Sequence, residues 1–75
     1  MAKSKMLADS TAQRISKMID DDGKFQPGDK LPNENEFSAE LGVSRSTLRE
    51  AIRILTTNGV LEIQRGKGTF VTANA

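Results

Sequence analysis

The 75-residue chain contains no cysteine, histidine, tryptophan or tyrosine, and its only aromatic residues are three phenylalanines. Without cysteine and histidine there is no disulfide framework and no thiolate or imidazole ligand for a metal. The two side chains most used for nucleophilic and acid/base chemistry near neutral pH are also missing. The remaining carboxylates, lysines, serines and threonines show no pairing in a pocket-forming context, so the chain reads as neither an enzyme nor a cofactor or metal carrier. The acidic run Asp20-Asp21-Asp22 does not alter this, because consecutive acids point in different directions on a helix and lack the spaced oxygens of a calcium loop. Long apolar runs are absent too. The longest is Met6-Leu7-Ala8, far short of the roughly 20 residues that span a bilayer and of a secretory core. A reducing cytoplasm is the expected compartment for a cysteine-free chain.

What is present fits one small domain, since a chain this short buries only roughly 60% of its unfolded surface. Hydrophobic residues make up 36% and charged residues 28% of it, the composition of a globular protein. Net charge is only +1, so the distribution of charge carries more than its total. Residues 1–43 hold six cations against eight acids, a net of −2; residues 44–75 hold five (Arg45, Arg49, Arg53, Arg65, Lys67) against Glu50 and Glu62, a net of +3.

Residues 1–8 show no clear period and read as a flexible N-terminal arm. From a cap at Asp9 or Ser10, the residues Ala12, Ile15, Met18 and Ile19 recur along one helical face, and Gly23 ends that first helix beyond the three aspartates, which oppose its dipole. Pro27-Gly28 is a type II turn signature, and Lys30-Leu31 suits a very short strand ended by Pro32. Asn33 with Glu36 three residues on forms a capping-box pattern that starts a second, two-turn helix, which Gly42 stops. Ser44 caps a third helix, whose Leu48, Ala51, Ile52 and Leu55 lie at i, i+3, i+4 and i+7 and which closes at Asn58-Gly59. Val60–Arg65 and Thr69–Val71 flank Gly66-Lys67-Gly68 and read as a hairpin, with Leu61 and Ile63 facing inward. The fold class is therefore mainly α with a small β wing: a winged helix-turn-helix of three helices and a C-terminal β-hairpin over residues 9–72, with 73–75 beginning a linker or tail. Phe37 and Phe70 read as core; Phe25 is left open.

On the third helix, a rotation of about 100° per residue places Arg45, Arg49 and Arg53 on one side, next to the apolar stripe. Like charges at i, i+4 cost a few tenths of a kcal/mol, and Arg45 at the helix N-terminus opposes the dipole. A polyanion explains this face better than stability does. Arginine can fork onto guanine O6 and N7 or grip a phosphate, and Ser44, Ser46 and Thr47 add short donors beside the first amides. The alternative is a solvated basic face paired with acids such as Glu50 and Glu36, an alternative that weighs most at Arg53. The tip Arg65-Gly66-Lys67-Gly68-Thr69 places two cations on glycines that let the backbone approach a minor groove or phosphate. Asn35, at the start of the second helix, either reaches a phosphate or is a solvated polar residue. DNA reading by these residues has a rival of another class, docking of the third-helix face onto an acidic protein.

The segments PGDKLP, NENEF, LGVSRSTLREAI, NG and GKGTFV, in this order between Pro27 and Val71, resemble the DNA-binding domain of GntR-type transcription regulators, with LREAI leaning toward the FadR-like branch. The resemblance implies a double-stranded DNA partner with a palindromic operator, bound by a homodimer in the full-length protein. Arg45 and Arg49 look like its base and phosphate readers, Ser44, Ser46 and Thr47 like backbone or base contacts, and Gly66 like the wing residue entering the minor groove. The family usually has arginine where this chain has Asn35. Family members also carry a C-terminal domain that dimerises and binds a small-molecule effector, and the residues after Val71 are too few to form one.

Overall fold

The computed structural model describes residues 2–72, with side chains from Met6 onward; the expected tail at 73–75 lies outside the described residues. Helix α1 (Ala2–Asp20) is followed by α2 (Glu34–Leu41), α3 (Arg45–Thr57) and a two-stranded antiparallel hairpin, β1 (Leu61–Gln64) and β2 (Gly68–Val71).

The first helix starts at Ala2, not at Asp9 or Ser10, and so takes in residues expected to form an arm. Two causes act, one in the local sequence and one in the packing. Residues 2–8 contain no Gly or Pro and are rich in good helix formers. Ala8 and Thr11 are each 2% exposed, so the buried stripe runs Ala8, Thr11, Ala12, Ile15 and starts a turn before the first residue assigned to it. Asp9 and Ser10 are exposed positions inside the helix.

The remaining boundaries follow local chemistry. Asn33 Oδ1 accepts the Glu36 amide at 2.9 Å and its Nδ2 donates to Glu36 Oε1 at 2.6 Å, a side-chain variant of the capping box. Gly42, at φ 70°, ends α2: its N–H bonds Ala39 O and the Val43 N–H bonds Ser38 O, the paired bonds of a Schellman stop. The same pair closes α3, from Gly59 to Thr56 O and from Val60 to Leu55 O. Between α1 and α2, the Asp29 N–H returns to Gln26 O across Pro27-Gly28. The connector then runs beside β2 as a third, fragmentary strand: Leu31 donates to Thr69 O, Val71 to Asp29 O, and Lys30 bridges Phe70.

One core joins these pieces. Ile15 of α1, Phe37 of α2, Leu48 and Ala51 of α3 are fully buried, with Leu61 and Val71 closing the base of the hairpin. Phe25, 8% exposed, joins this core, its ring meeting Phe37 edge-on with centroids 5.7 Å apart. Phe70 is only half-buried. Arg14 ties α1 to the end of α2 by donating to Leu41 O at 2.9 Å, which supplies one of the free C-terminal carbonyls.

The hairpin departs from the expected alternation at Ile63. It shares a face with Leu61, yet Leu61 is 2% and Ile63 58% exposed. Only the base of the ribbon, where Leu61 pairs Val71, lies over the core; toward Gln64 and Gly68 the ribbon projects past it.

Candidate nucleic-acid interface

Helices α2 and α3 are joined by the short turn at Gly42–Ser44, so the first turn of α2 lies against the exposed face of α3. Ser44 caps α3 by accepting the Thr47 amide at 3.1 Å, and its hydroxyl donates to Thr47 Oγ1 at 3.0 Å. Ser46 is exposed on the same turn.

Arg45, Arg49 and Arg53 are all exposed, as their spacing requires, but each has a partner. Arg49 is held side-on by Glu34, with Nε to Oε2 at 2.9 Å and Nη2 to Oε1 at 2.6 Å. The hydrogen bond from Arg49, then the nearby charges of Arg49 and Arg45, hold the Glu34 carboxyl below the ordinary glutamate range despite some desolvation; the same pairing raises Arg49. Arg53 meets Glu50 at 3.8 Å across one helical turn. Glu36 pairs with none of them, being engaged by Asn33.

Asn35 accepts a hydrogen bond from Arg45 Nη1 at 3.1 Å. Arginine has no acceptor atom, so this contact assigns the amide: the oxygen faces Arg45 and the NH2 group is left over. An Asn held this way has both N–H donors of its amide free, suited to phosphate or to the acceptors O6 and N7 of guanine.

The wing tip is closed by the Lys67 N–H bonding Gln64 O at 2.9 Å, with Gly66 at φ 76° inside the turn. Arg65 and Lys67 are exposed there, and Gly68 and Thr69 are half-buried. A Cβ built on Gly68 would stand 2.6 Å from Lys30 Cε, so the Lys30 stem crosses the wing at a residue without a side chain. An open groove of about 520 Å³ separates the wing from α3, bordered by Lys30, Pro32, Ile52, Ile63, Lys67 and Thr69.

The fold thus makes two groups: Asn35, Ser44, Arg45, Ser46, Thr47 and Arg49 at the junction of α2 and α3, and Arg65, Gly66, Lys67, Gly68 and Thr69 on the wing. Sequence reasoning missed Glu34 and Lys30. The signal for Glu34 was its position directly after the cap Asn33, on the turn that a helix-turn-helix packs beside the start of its second helix. The signal for Lys30 was only a charge on a short strand, and its approach to the wing depends on the pairing with β2. Among the described residues no cluster of carboxylates, histidines or cysteines could hold a metal ion, and no helix is long and apolar enough to cross a membrane.

Residues 7–71 match the family model described as "Bacterial regulatory proteins, gntR family". The chain is 39% identical over 67 residues to the mannosyl-D-glycerate transport/metabolism system repressor MngR of Escherichia coli, covering 89% of this chain and 26% of that protein. It is 52% identical over 50 residues to the fatty acid metabolism regulator protein of Shewanella baltica, covering 67% of this chain and 21% of that protein. The chain therefore spans about a quarter of the length of these relatives. AraR(DBD), solved in complex with operator ORR3, superimposes with a TM-score of 0.78 at 41% identity, over 88% of this chain and 78% of the AraR chain. The chain belongs to the gntR family of bacterial regulatory proteins and has the winged helix-turn-helix fold of their DNA-binding domains.

Proposed function

We propose that this chain is the operator-reading part of a transcription regulator, binding duplex DNA with α3 in the major groove and the wing on the minor groove or adjacent phosphates. The observation that carries this reading is the juxtaposition, on exposed surface, of Arg45 and Arg49 with the first amides of α3, one short strand away from Arg65 and Lys67 on a glycine turn. Early positions of a recognition helix reach base edges first, and cations on a close-approaching backbone fix register on phosphates. AraR(DBD), of the same fold, is bound to an operator, which supports the same partner here.

Arg45, Arg49 and Asn35 carry sequence recognition in this reading. Ser44, Ser46 and Thr47 anchor the start of α3, and Arg65, Gly66, Lys67, Gly68 and Thr69 make the wing contact. The domain is a binding module without catalytic activity, working in the cytoplasm. In the full-length protein it acts as one half of a homodimer on a palindromic operator, and a separate C-terminal domain takes the small-molecule effector. The relatives' greater length supports that arrangement.

Selection of bound duplexes from a random pool, with two copies of the chain joined as a dimer and read at moderate salt, tests the reading. An enriched palindrome establishes a sequence reader and names its half-site. General salt-sensitive binding without enrichment, or none, gives the α3 face to an acidic protein partner instead.

A further inference from the structure

Resting on the duplex-DNA reading, we propose that Glu34 is a positioning and specificity-determining residue: by holding the Nε–Nη2 edge of Arg49, it presents the Nη1–Nη2 end of the guanidinium as a fixed fork for guanine.

An arginine side chain has five N–H donors in one plane. Glu34 takes the Nε hydrogen and one Nη2 hydrogen through two separate oxygens. The two Nη1 hydrogens and the second Nη2 hydrogen remain. One hydrogen from each nitrogen forms the parallel pair that guanine O6 and N7 accept together. The second contact matters, because a single bond would let the guanidinium swing about it, whereas two fix its plane. A long side chain held in advance loses less freedom when it meets a base.

Glu34 is itself well supported. It is the first residue of α2, where a carboxylate is favoured by the helix dipole, and its backbone follows the cap Asn33, which is bonded twice to Glu36. Its side chain is 37% exposed against 64% for Arg49, so the acid is the more enclosed partner and the arginine the more outward one. A carboxylate in this place also repels phosphate. An Arg49 released from it would be an ordinary mobile cation, free to grip backbone on any sequence. The pair Arg53–Glu50 lacks these features: one contact at 3.8 Å, side chains 78% and 58% exposed, both on one helix. Glu50 therefore provides a charge-matched control.

The experiment compares the dimerised chain with its Glu34→Gln and Glu50→Gln variants by selection from the random duplex pool, with affinity for an unrelated duplex measured alongside. A glutamine offers one acceptor and no charge. The expected result is that Glu34→Gln loses about tenfold in preference at one symmetric pair of guanine positions, while its affinity for the unrelated duplex holds or rises. Glu50→Gln raises general affinity and keeps every base preference. Nuclear magnetic resonance of the free chain adds a readout independent of DNA: the Arg49 Nε–H signal is protected from exchange in the native chain and unprotected in Glu34→Gln.

If the native chain enriches no sequence, the DNA reading falls and the inference with it. If it enriches a palindrome and Glu34→Gln keeps the full preference at every position, or loses all positions in parallel, the positioning role alone is overturned. An Arg49 Nε–H that exchanges as fast in the native chain as in the variant overturns it equally.

Discussion

Arg49 of the third helix and Glu34 of the second meet through two hydrogen bonds, 2.9 and 2.6 Å long, across 15 residues of sequence. On the face that would carry DNA recognition, Arg49 is thus engaged at two points by an acid from the neighbouring helix, whereas Arg53 meets Glu50 by one contact at 3.8 Å. Arg45 has a single hydrogen bond, to the neutral amide of Asn35 at 3.1 Å.

Removing either arginine separates recognition from folding. Arg45→Ala or Arg49→Ala is expected to lower affinity for the selected operator by about 1 to 3 kcal/mol with the helical circular dichroism unchanged, because both side chains are exposed. A folded variant with native affinity would remove α3 from the interface.

On the wing the signature differs. Lys67→Ala is expected to weaken all duplexes alike and to flatten the dependence of log K on log salt by about one unit, the effect of one lost phosphate contact. Lys30→Ala is expected to do the same, since its stem crosses the wing at Gly68. Titrations on operator and unrelated DNA at several salt concentrations check both; a loss confined to one sequence contradicts a phosphate role.

Asn35→Arg restores the residue that GntR-type domains usually carry and brings two guanidinium groups together at Arg45, which loses its acceptor. The expected outcome of repeating the selection is an altered half-site, not simply tighter binding to the original one. An unchanged half-site would show that Arg45 reads without help from Asn35.

The pH dependence follows from the Glu34–Arg49 pair. The pairing holds the Glu34 carboxyl below its ordinary range in the folded chain, so the unfolded chain binds the proton more readily. The pair's contribution is present at neutral pH and is lost as pH falls below the ordinary glutamate range, through the lowered folded value. The effect is modest because both groups are exposed. In thermal melts the difference between the native chain and Glu34→Gln should shrink toward zero on acidification; a difference that persists in acid would assign it to something other than this charge.

Stability itself resides in the core. Leu48→Ala is expected to cost about 2 to 5 kcal/mol, a large part of what so small a domain has, since Leu48 is fully buried between the helices. Ile63→Ala, at a residue 58% exposed, should stay within about 0.5 kcal/mol. Denaturant unfolding of the two variants checks the contrast, and a large loss at Ile63 would place it against a surface of the chain.

The sequence by itself determined the features whose physics is local. The caps Asn33 and Ser44 accept amides three residues ahead, Gly42 and Gly59 close helices through bonds within six residues, and the wing turn involves only Gln64 to Lys67. Each was readable because the interacting atoms are neighbours in the chain. Tertiary structure alone decided the rest. Burial of Ala8 carries the first helix past the expected cap; the reach of the hairpin beyond the core leaves Ile63 outside while Leu61 is buried; pairing with β2 brings Lys30 over Gly68. Arg49 finds Glu34, 15 residues away, and not its sequence neighbour Glu50, because the Gly42–Ser44 turn sets the approach of the two helices and brings the first turn of α2 beside the exposed face of α3.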